Sequence, residues 1–460
     1  MHYDLLVIGG GPAGYVGSIR AAQLGKKVGC VEMDRAGGTC LNWGCIPTKS
    51  LLKNAELYHT MAHRAAEYGM KFEKLTYDWT NIIGRSRTVS GKLAGGVEFL
   101  FKKNKIDYLR GEGTFKDAKT IVIKATDGST LEHTADKILI ATGCVMRQLP
   151  DLPFDGKNVI GSKQAMVLEN QPESIIILGA GAIGVEFAYF FNAFGTKVTL
   201  IEMLPRVLPV EDEEISALLE RSYTKSGIKV LTNTKVTAQK ITKTGVQVTL
   251  EGKDGKPVET IEGAVLLVAI GVSPLVPKGL KLDVDRGYIK TDARYQTNVP
   301  NVFAAGDIIG PPWLAHVAMW EAVQCVEGIF AGHTPKKIET FPGCTYCQPQ
   351  VASIGLTERA AKEKGLKYKV GKFPFAASGK ALAVGDSEGF VKILYGEPHG
   401  EILGAHIIGN EATELIAEMG LAMSLEATHE EIEATIHAHP TLSEAIHEAN
   451  GAAYGLAVHI

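Results

Sequence analysis

The chain has 460 residues, of which 45% are hydrophobic and 22% charged, with a formal net charge of −3. The length fits roughly two to four domains, and the composition excludes a disordered chain. A balance of 48 basic and 51 acidic residues lacks the basic field of a nucleic-acid or membrane-surface protein, and seven cysteines are too few, and odd in number, for a disulfide-stapled secreted scaffold.

The chain opens Met1-His2-Tyr3-Asp4 and enters an apolar run at Leu5, with no charged leader or transit-like stretch. The strongest apolar run, residues 264–272, is strand-length, well short of the roughly 18 residues of a membrane span. A cytoplasmic protein is expected; a mature organellar matrix enzyme would look the same. Residues 5–9 read as a buried strand, and Gly9, Gly11 and Gly14 spell Gly-x-Gly-x-x-Gly. A helix to Leu24, a turn at Gly25 and a strand over 27–31 follow, ending in Glu32. Next come Cys40 and Cys45, which flank Leu-Asn-Trp-Gly and precede an apolar-periodic helix predicted from Ser50. A bridge between them would close a small loop and stabilise little. Reversible thiol–disulfide exchange is the better use, with a helix start and Lys49 favouring a thiolate; on residues alone, two inert thiols remain the alternative. Lys102, Lys103 and Lys105 read as a solvated face, and residues 137–143 as a strand ending in a small-residue turn.

A shift of 170 residues brings the opening pattern back. A strand over 175–178, Gly179, Gly181 and Gly184, a helix to Phe194, Gly195 and a strand over 197–201 end in Glu202. Each acid stands 18 residues beyond the third glycine of its copy. The first glycine turns the chain, the second admits a pyrophosphate and the third lets helix and strand pack. The helix N-terminus offers free N–H groups to the phosphates, and the acid accepts from a ribose hydroxyl. Two such sites in one chain suggest a flavin and a nicotinamide exchanging electrons. Residues 265–271 mirror 137–143, and residues 302–307 are a further buried strand ending in Gly-Asp, so the second unit reads as inserted within the first.

Cys344 and Cys347 form Cys-x-x-Cys in a strand approach over 341–354, without the second Cys/His pair of a zinc site. No metal is expected, and the pair reads as structural thiols, with an accessory redox pair as the alternative. Cys30, Cys144 and Cys325 read as buried small residues. Strands follow at 351–355, 368–373, 390–395 and 402–408, then helices at 411–423 and from Thr428, whose Glu431 completes a capping box. Pro440 favours an extended His439. Thr441 and Glu444 then fit another capping box, so helix capping is the plain reading of Glu444.

Gly37-Gly38-Thr39-Cys40-Leu-Asn-Trp-Gly-Cys45-Ile-Pro-Thr-Lys49 resembles the disulfide motif of the class I pyridine nucleotide–disulfide oxidoreductases, and His437-Ala-His439-Pro440-Thr-Leu-Ser-Glu444 resembles the C-terminal signature of their dihydrolipoamide-oxidising branch. The resemblance spans the whole chain. It implies an α/β fold with two Rossmann-like dinucleotide-binding domains and a C-terminal α+β dimerisation domain. The boundaries implied are 1–146 and 272–341 for the FAD-binding and central parts, 147–271 for the inserted NAD domain and 342–460 for the interface domain. The implied activity is oxidation of protein-bound dihydrolipoamide with reduction of NAD+, and the implied partners are a second copy and the lipoyl domains of 2-oxoacid dehydrogenase or glycine cleavage complexes.

By the same resemblance, Cys45 is the sulfur nearest the flavin, in charge-transfer contact with it, and Cys40 exchanges with the dithiol. Lys49 lies near the flavin N5, paired with Glu186. Gly9, Gly11, Gly14, Glu32, Lys49, Gly113, Ala141, Thr142, Gly143, Asp307, Ala315 and His316 match FAD-contacting positions; Gly179, Gly181, Gly184, Glu202, Val236 and Gly271 match NAD-contacting ones. His439 becomes the base, oriented by Glu444 and acting across a two-fold dimer interface, while His437 has no assigned role. Glu202 argues against a 2′-phosphate and so for NAD, although Arg206 is near. Three rivals remain. A mercuric reductase calls for a C-terminal cysteine pair, but no cysteine follows Cys347. A glutathione reductase calls for basic residues where Glu202 stands. A non-catalytic FAD/NAD-binding subunit needs none of Cys40, Cys45 and His439.

Overall fold

The structure, a computed structural model, describes residues 1–125, 127–148, 153–336 and 339–460. Leu5, Leu6 and Val7 are fully buried, as befits a strand of a parallel sheet covered on both faces. Their strand, His2–Ile8, pairs in parallel with Val28–Glu32 and with Thr130–Ile140, and Val302–Ala304 extends the sheet. The long strands Asp107–Asp117 and Thr130–Ile140 run out of this sheet into an antiparallel meander with Thr120–Ala125.

A second parallel sheet is built around Ser174–Leu178, flanked by Lys197–Ile201 and Val265–Val268. It too has a meander, made of Thr234–Ile241, Val246–Gly252 and Pro257–Gly263. The sequence repeat is therefore a repeat of architecture. In the first copy a Cβ on Gly14 would stand 1.7 Å from the Gly9 carbonyl oxygen, and one on Gly9 2.3 Å from that of Ala141. In the second, Gly184 and Gly179 would meet the Gly179 and Ala269 oxygens at 1.8 and 2.5 Å. Turn, helix and return strand can meet this closely only without side chains there. The first sheet receives Val302–Ala304 after the second is complete, and Cys144–Met146 pairs with Val272–Pro274 where the chain leaves and returns.

The C-terminal part is a five-stranded antiparallel sheet in the order Gly343–Thr345, Gln350–Gly355, Ile402–Gly409, Phe390–Gly396, Tyr368–Pro374. Helices Ala412–Ser424 and Glu444–Tyr454 share its core through Ile416, Met419, Ile446 and Ala449. The architecture is thus the expected one: two dinucleotide-binding α/β units and a C-terminal α+β unit. Among the described residues no helix is long and apolar enough to cross a membrane. The capping box at Thr428 and Glu431 forms as read.

Several local expectations change. The helix placed from Ser50 starts at Cys45 and runs to Arg64, and a short helix, Gly38–Trp43, precedes it. Pro47 lies in the first turn of the longer helix, where the missing N–H costs no helical bond. At the C-terminus the helix begins at Glu444, and the Thr441 hydroxyl donates to the Ala438 carbonyl instead of capping. The His439–Pro440 peptide is cis. Cys30 and Cys325 are buried as expected, whereas Cys144 is only half-buried.

Helix Ala182–Ala193 is the hub. Phe187, Phe190 and Phe191 join Leu51, Leu52 and Ala55 of the cysteine helix, and Val351, Phe390 and Ile408 of the C-terminal sheet, in one core. Beside it lies a charged knot. Lys392 is 1% exposed, and its Nζ meets Asp212 at 3.0 Å and Glu214 and Glu358 at 2.8 Å each. Asp212 also caps helix Glu213–Lys225, so the knot ties the second unit to the C-terminal sheet. Lys392→Met strands a buried carboxylate. The expected loss is about 3–5 kcal/mol, measured as a lower denaturant midpoint.

Candidate active site

Gly44 breaks the backbone between the two short-spaced helices, with φ −147° and ψ −113°. Cys40 thus lies on the first helix, and Cys45 opens the second. Both are free thiols, half-buried, and the Cys40 thiol donates to Cys45. That bond, aided by the charge of Lys49 one turn on, pulls Cys45 below the ordinary thiol range against burial and Glu186. Cys40 is pushed up by donating, by burial and by the neighbouring sulfur. The pair is therefore polarised, with the thiolate on Cys45.

Lys49 is not a solvated surface lysine. Its Nζ meets both oxygens of Glu186 at 2.9 and 3.0 Å, and the Glu186 side chain is 6% exposed. The Tyr346 N–H donates to Glu186 at 2.9 Å, and the Tyr346 ring lies 4.4 Å from Nζ. Sequence reasoning missed Tyr346, which belongs to no motif; its only signal was its place between Cys344 and Cys347. Those two sulfurs sit in different cores, Cys344 against the C-terminal one and Cys347 in the central one. Burial pushes them up to about 11 and about 12, as suits structural thiols.

At the first glycine turn the Gly10 N–H donates to Glu32 Oε2 at 2.7 Å and the Asp34 N–H to Oε1 at 2.8 Å. The second turn repeats this: Ala180 and Leu204 N–H groups donate to Glu202 Oε2 and Oε1, each at 2.8 Å. Arg206 is engaged by Glu213 at 2.8 Å.

Several features fit a dinucleotide at the first turn. The Thr142 hydroxyl is buried without a partner among the described residues. Gly143 takes φ +66° and faces open space. Burial pushes the Asp307 carboxyl up to about 6, as suits a group waiting to accept from a polyol. Helix Ala315–Phe330 starts with no side-chain cap, leaving N–H groups free, and His316 Nε2 sits 2.9 Å from the Pro342 carbonyl oxygen. Gly113 packs against Val31 and Ile8. At the second turn, Gly181 and Gly271 face open space, while Val236 lies on the meander strand.

His439 is 79% exposed on its side chain, with Nδ1 2.8 Å from Glu444 Oε1. The Thr441 N–H donates to Glu444 Oε2 at 2.7 Å. Glu444 thus performs half of the anticipated capping box and orients the ring at once. Burial opposes its ionisation, but the Thr441 N–H and His439 hold the carboxyl below the usual range.

A family model described as pyridine nucleotide-disulphide oxidoreductase matches residues 3–322, and the dimerisation domain of the same family matches residues 341–450. The chain is 45% identical to the dihydrolipoyl dehydrogenase of Zymomonas mobilis, over 100% of this chain and 99% of that one. It is 43% identical to that of Bacillus subtilis, over 99% of each. Among solved structures, LpdA from Mycobacterium tuberculosis superposes with a TM-score of 0.89 at 27% identity, over 97% of this chain and 98% of that one. The HOCl-induced flavoprotein disulfide reductase RclA from Escherichia coli, as its Cu(II) complex, gives 0.87 at 25%, over 98% and 99%.

Two outcomes follow from this geometry. Lys49→Met removes the charge that lowers Cys45, so the ultraviolet thiolate absorbance of the reduced protein should appear at higher pH. Asp307 binds a proton more tightly folded than unfolded, so its contribution is full below about pH 4 and is lost as pH rises through about 6. Asp307→Asn should therefore stabilise the cofactor-free protein at neutral pH, by up to about 3 kcal/mol, while weakening FAD retention in equilibrium dialysis.

Proposed function

The chain belongs to the pyridine nucleotide-disulphide oxidoreductase family, and from that membership we propose that it is a dihydrolipoyl dehydrogenase, oxidising protein-bound dihydrolipoamide with reduction of NAD+. It carries the family's dimerisation domain and acts as a homodimer. The observation that carries the reading is the polarised Cys40–Cys45 pair, backed by the Lys49–Glu186 ion pair. In the oxidised enzyme the two sulfurs form a disulfide. His439, its ring fixed by Glu444, removes a proton from the substrate dithiol. The resulting thiolate attacks Cys40 and expels Cys45 as a thiolate, which Lys49 stabilises. The second substrate thiol then attacks the mixed disulfide, releasing cyclic lipoamide and the reduced pair. Bound FAD would supply the two-electron relay between the reduced cysteine pair and NAD+.

Gly9, Gly11, Gly14, Glu32, Thr142, Gly143, Asp307, Ala315 and His316 would hold the FAD; Gly179, Gly181, Gly184, Glu202 and Gly271 would hold the NAD. Glu202 favours NAD over NADP, and Arg206, already paired with Glu213, is not free to reward a 2′-phosphate. His439 is on the surface of its own chain, which suits a base that works on the partner's cysteine pair. The remaining partners are lipoyl domains, and seven cysteines without a disulfide-scaffold pattern suit a cytoplasmic setting.

Steady-state oxidation of dihydrolipoamide tests the reading. Cys45→Ser should lower kcat by at least about 10³-fold, and His439→Gln by about 10²–10⁴-fold. Activity surviving Cys45→Ser would sink the proposal. A kcat/KM favouring NADP+ over NAD+ would overturn the coenzyme assignment.

A further inference from the structure

His437 enters neither the motif chemistry nor the steps above, yet its surroundings are unusual. Residues 435–440 form an exposed segment in which His437 alone turns inward. Ile436 is 96% exposed, and the His439 side chain 79%, whereas the His437 side chain is 7% exposed. Its Nε2 lies 2.6 Å from Glu418 Oε1, and its Nδ1 3.2 Å from the Thr435 carbonyl oxygen. An ionised carboxylate and a carbonyl can only accept, so both ring nitrogens must donate. A ring that donates from both nitrogens is an imidazolium.

We propose that His437 is a positioning residue, held as an imidazolium between Glu418 and the Thr435 carbonyl, which anchors the segment carrying His439 to helix Ala412–Ser424. The proposal rests on the assignment of His439 as the base. On its C-terminal side that base is held by its pair with Glu444, on helix Glu444–Tyr454, and by Thr441, whose N–H donates to Glu444 and whose hydroxyl donates to the Ala438 carbonyl. Without the His437 contact the exposed stretch between Thr435 and Ala438 loses its tie to helix Ala412–Ser424, and the N-terminal approach to the base slackens. A misplacement on the order of 1 Å costs a catalytic group about 10²-fold.

The groups facing the ring agree with a cation. Glu418 approaches from one helix, and Glu444 from another; both raise the proton affinity of His437 against burial, the Glu418 hydrogen bond most of all. His447, on helix Glu444–Tyr454, stands edge-on, with ring centroids 5.6 Å apart. Its Nε2 lies 3.3 Å from the Glu433 carbonyl oxygen, on helix His429–Ala434. The anchor therefore holds while His437 is protonated and releases as pH rises through its elevated pKa.

The test is the pH profile of kcat/KM for dihydrolipoamide oxidation, with thermal unfolding recorded on each holoenzyme. The wild type should lose activity at alkaline pH as His437 gives up its proton. Glu418→Gln should move the alkaline limb to lower pH. His437→Gln should abolish that limb and lower kcat/KM about 10- to 100-fold, with the KM for NAD+ and the unfolding midpoint little changed. His437→Lys, which keeps a cation opposite Glu418, should recover part of the rate and the alkaline tolerance. The proposal is overturned if His437→Gln leaves the profile unchanged. It is equally overturned if rate and unfolding midpoint fall together with no change in the shape of the profile. The rate lost in His439→Gln, measured at one pH, reports on the base assignment separately.

Discussion

A buried carboxylate must find a cation or donors, and Glu186 finds both in a way that organises the molecule. It projects from the helix of the second nucleotide unit, takes Lys49 from the cysteine helix of the first, and accepts the Tyr346 N–H from the C-terminal part. Three segments far apart in sequence are brought to one ion pair. The surrounding core has the same three sources: the phenylalanines of the second unit, Leu51 and Leu52 of the first, and Val351, Phe390 and Ile408 of the C-terminal sheet. The cysteine pair sits at the edge of this junction, so its electrostatics are set by contacts between units. The thiolate preference of Cys45 owes most to the hydrogen bond from Cys40; Lys49 adds to it, and burial and Glu186 restrain it.

The two glycine turns impose the second constraint. Gly14 and Gly184 bring a helix against the turn that precedes it, and Gly9 and Gly179 bring that turn against the strand that returns to the sheet. A side chain at any of these four positions would collide with backbone, which cannot rotate aside. The duplicated pattern was legible in the sequence because such contacts demand glycine at fixed spacing. The meanders that follow each copy were not legible. Their strands are half-exposed and of varied length, and what the copies share is a pairing scheme with no residue signature.

Legibility failed in another way at the site. Cys40, Cys45, His439 and Glu444 could be picked out because chemistry limits which residues can serve. Tyr346 could not, since its recognised contribution to Glu186 is a backbone N–H, which every residue but proline possesses. His437 was passed over for a related reason. A histidine two positions from the base carries no pattern of its own, and only its burial and the acceptors on both nitrogens distinguish it. The cysteine helix, expected from the apolar periodicity after Ser50, starts at Cys45, because a proline in a first turn such as Pro47 does not interrupt a helix.

The acids of this chain also show why a choice between structural and chemical roles can be false. A carboxylate has two oxygens and about four lone pairs, so it can be fixed by one contact and act through another. Glu444 takes the Thr441 N–H on one oxygen and His439 on the other. Glu186 takes the Tyr346 N–H and still faces Lys49 with both oxygens. Glu32 and Glu202 each accept two backbone N–H groups around a glycine turn, and each oxygen retains a lone pair for a ribose hydroxyl. In every case the backbone bond immobilises the carboxylate before its partner arrives. Little side-chain entropy then remains to be lost when that partner binds, and the acid is already aimed. Reading Glu444 as a cap from the residues alone was therefore correct chemistry for one oxygen, and the orienting role implied by the resemblance uses the other.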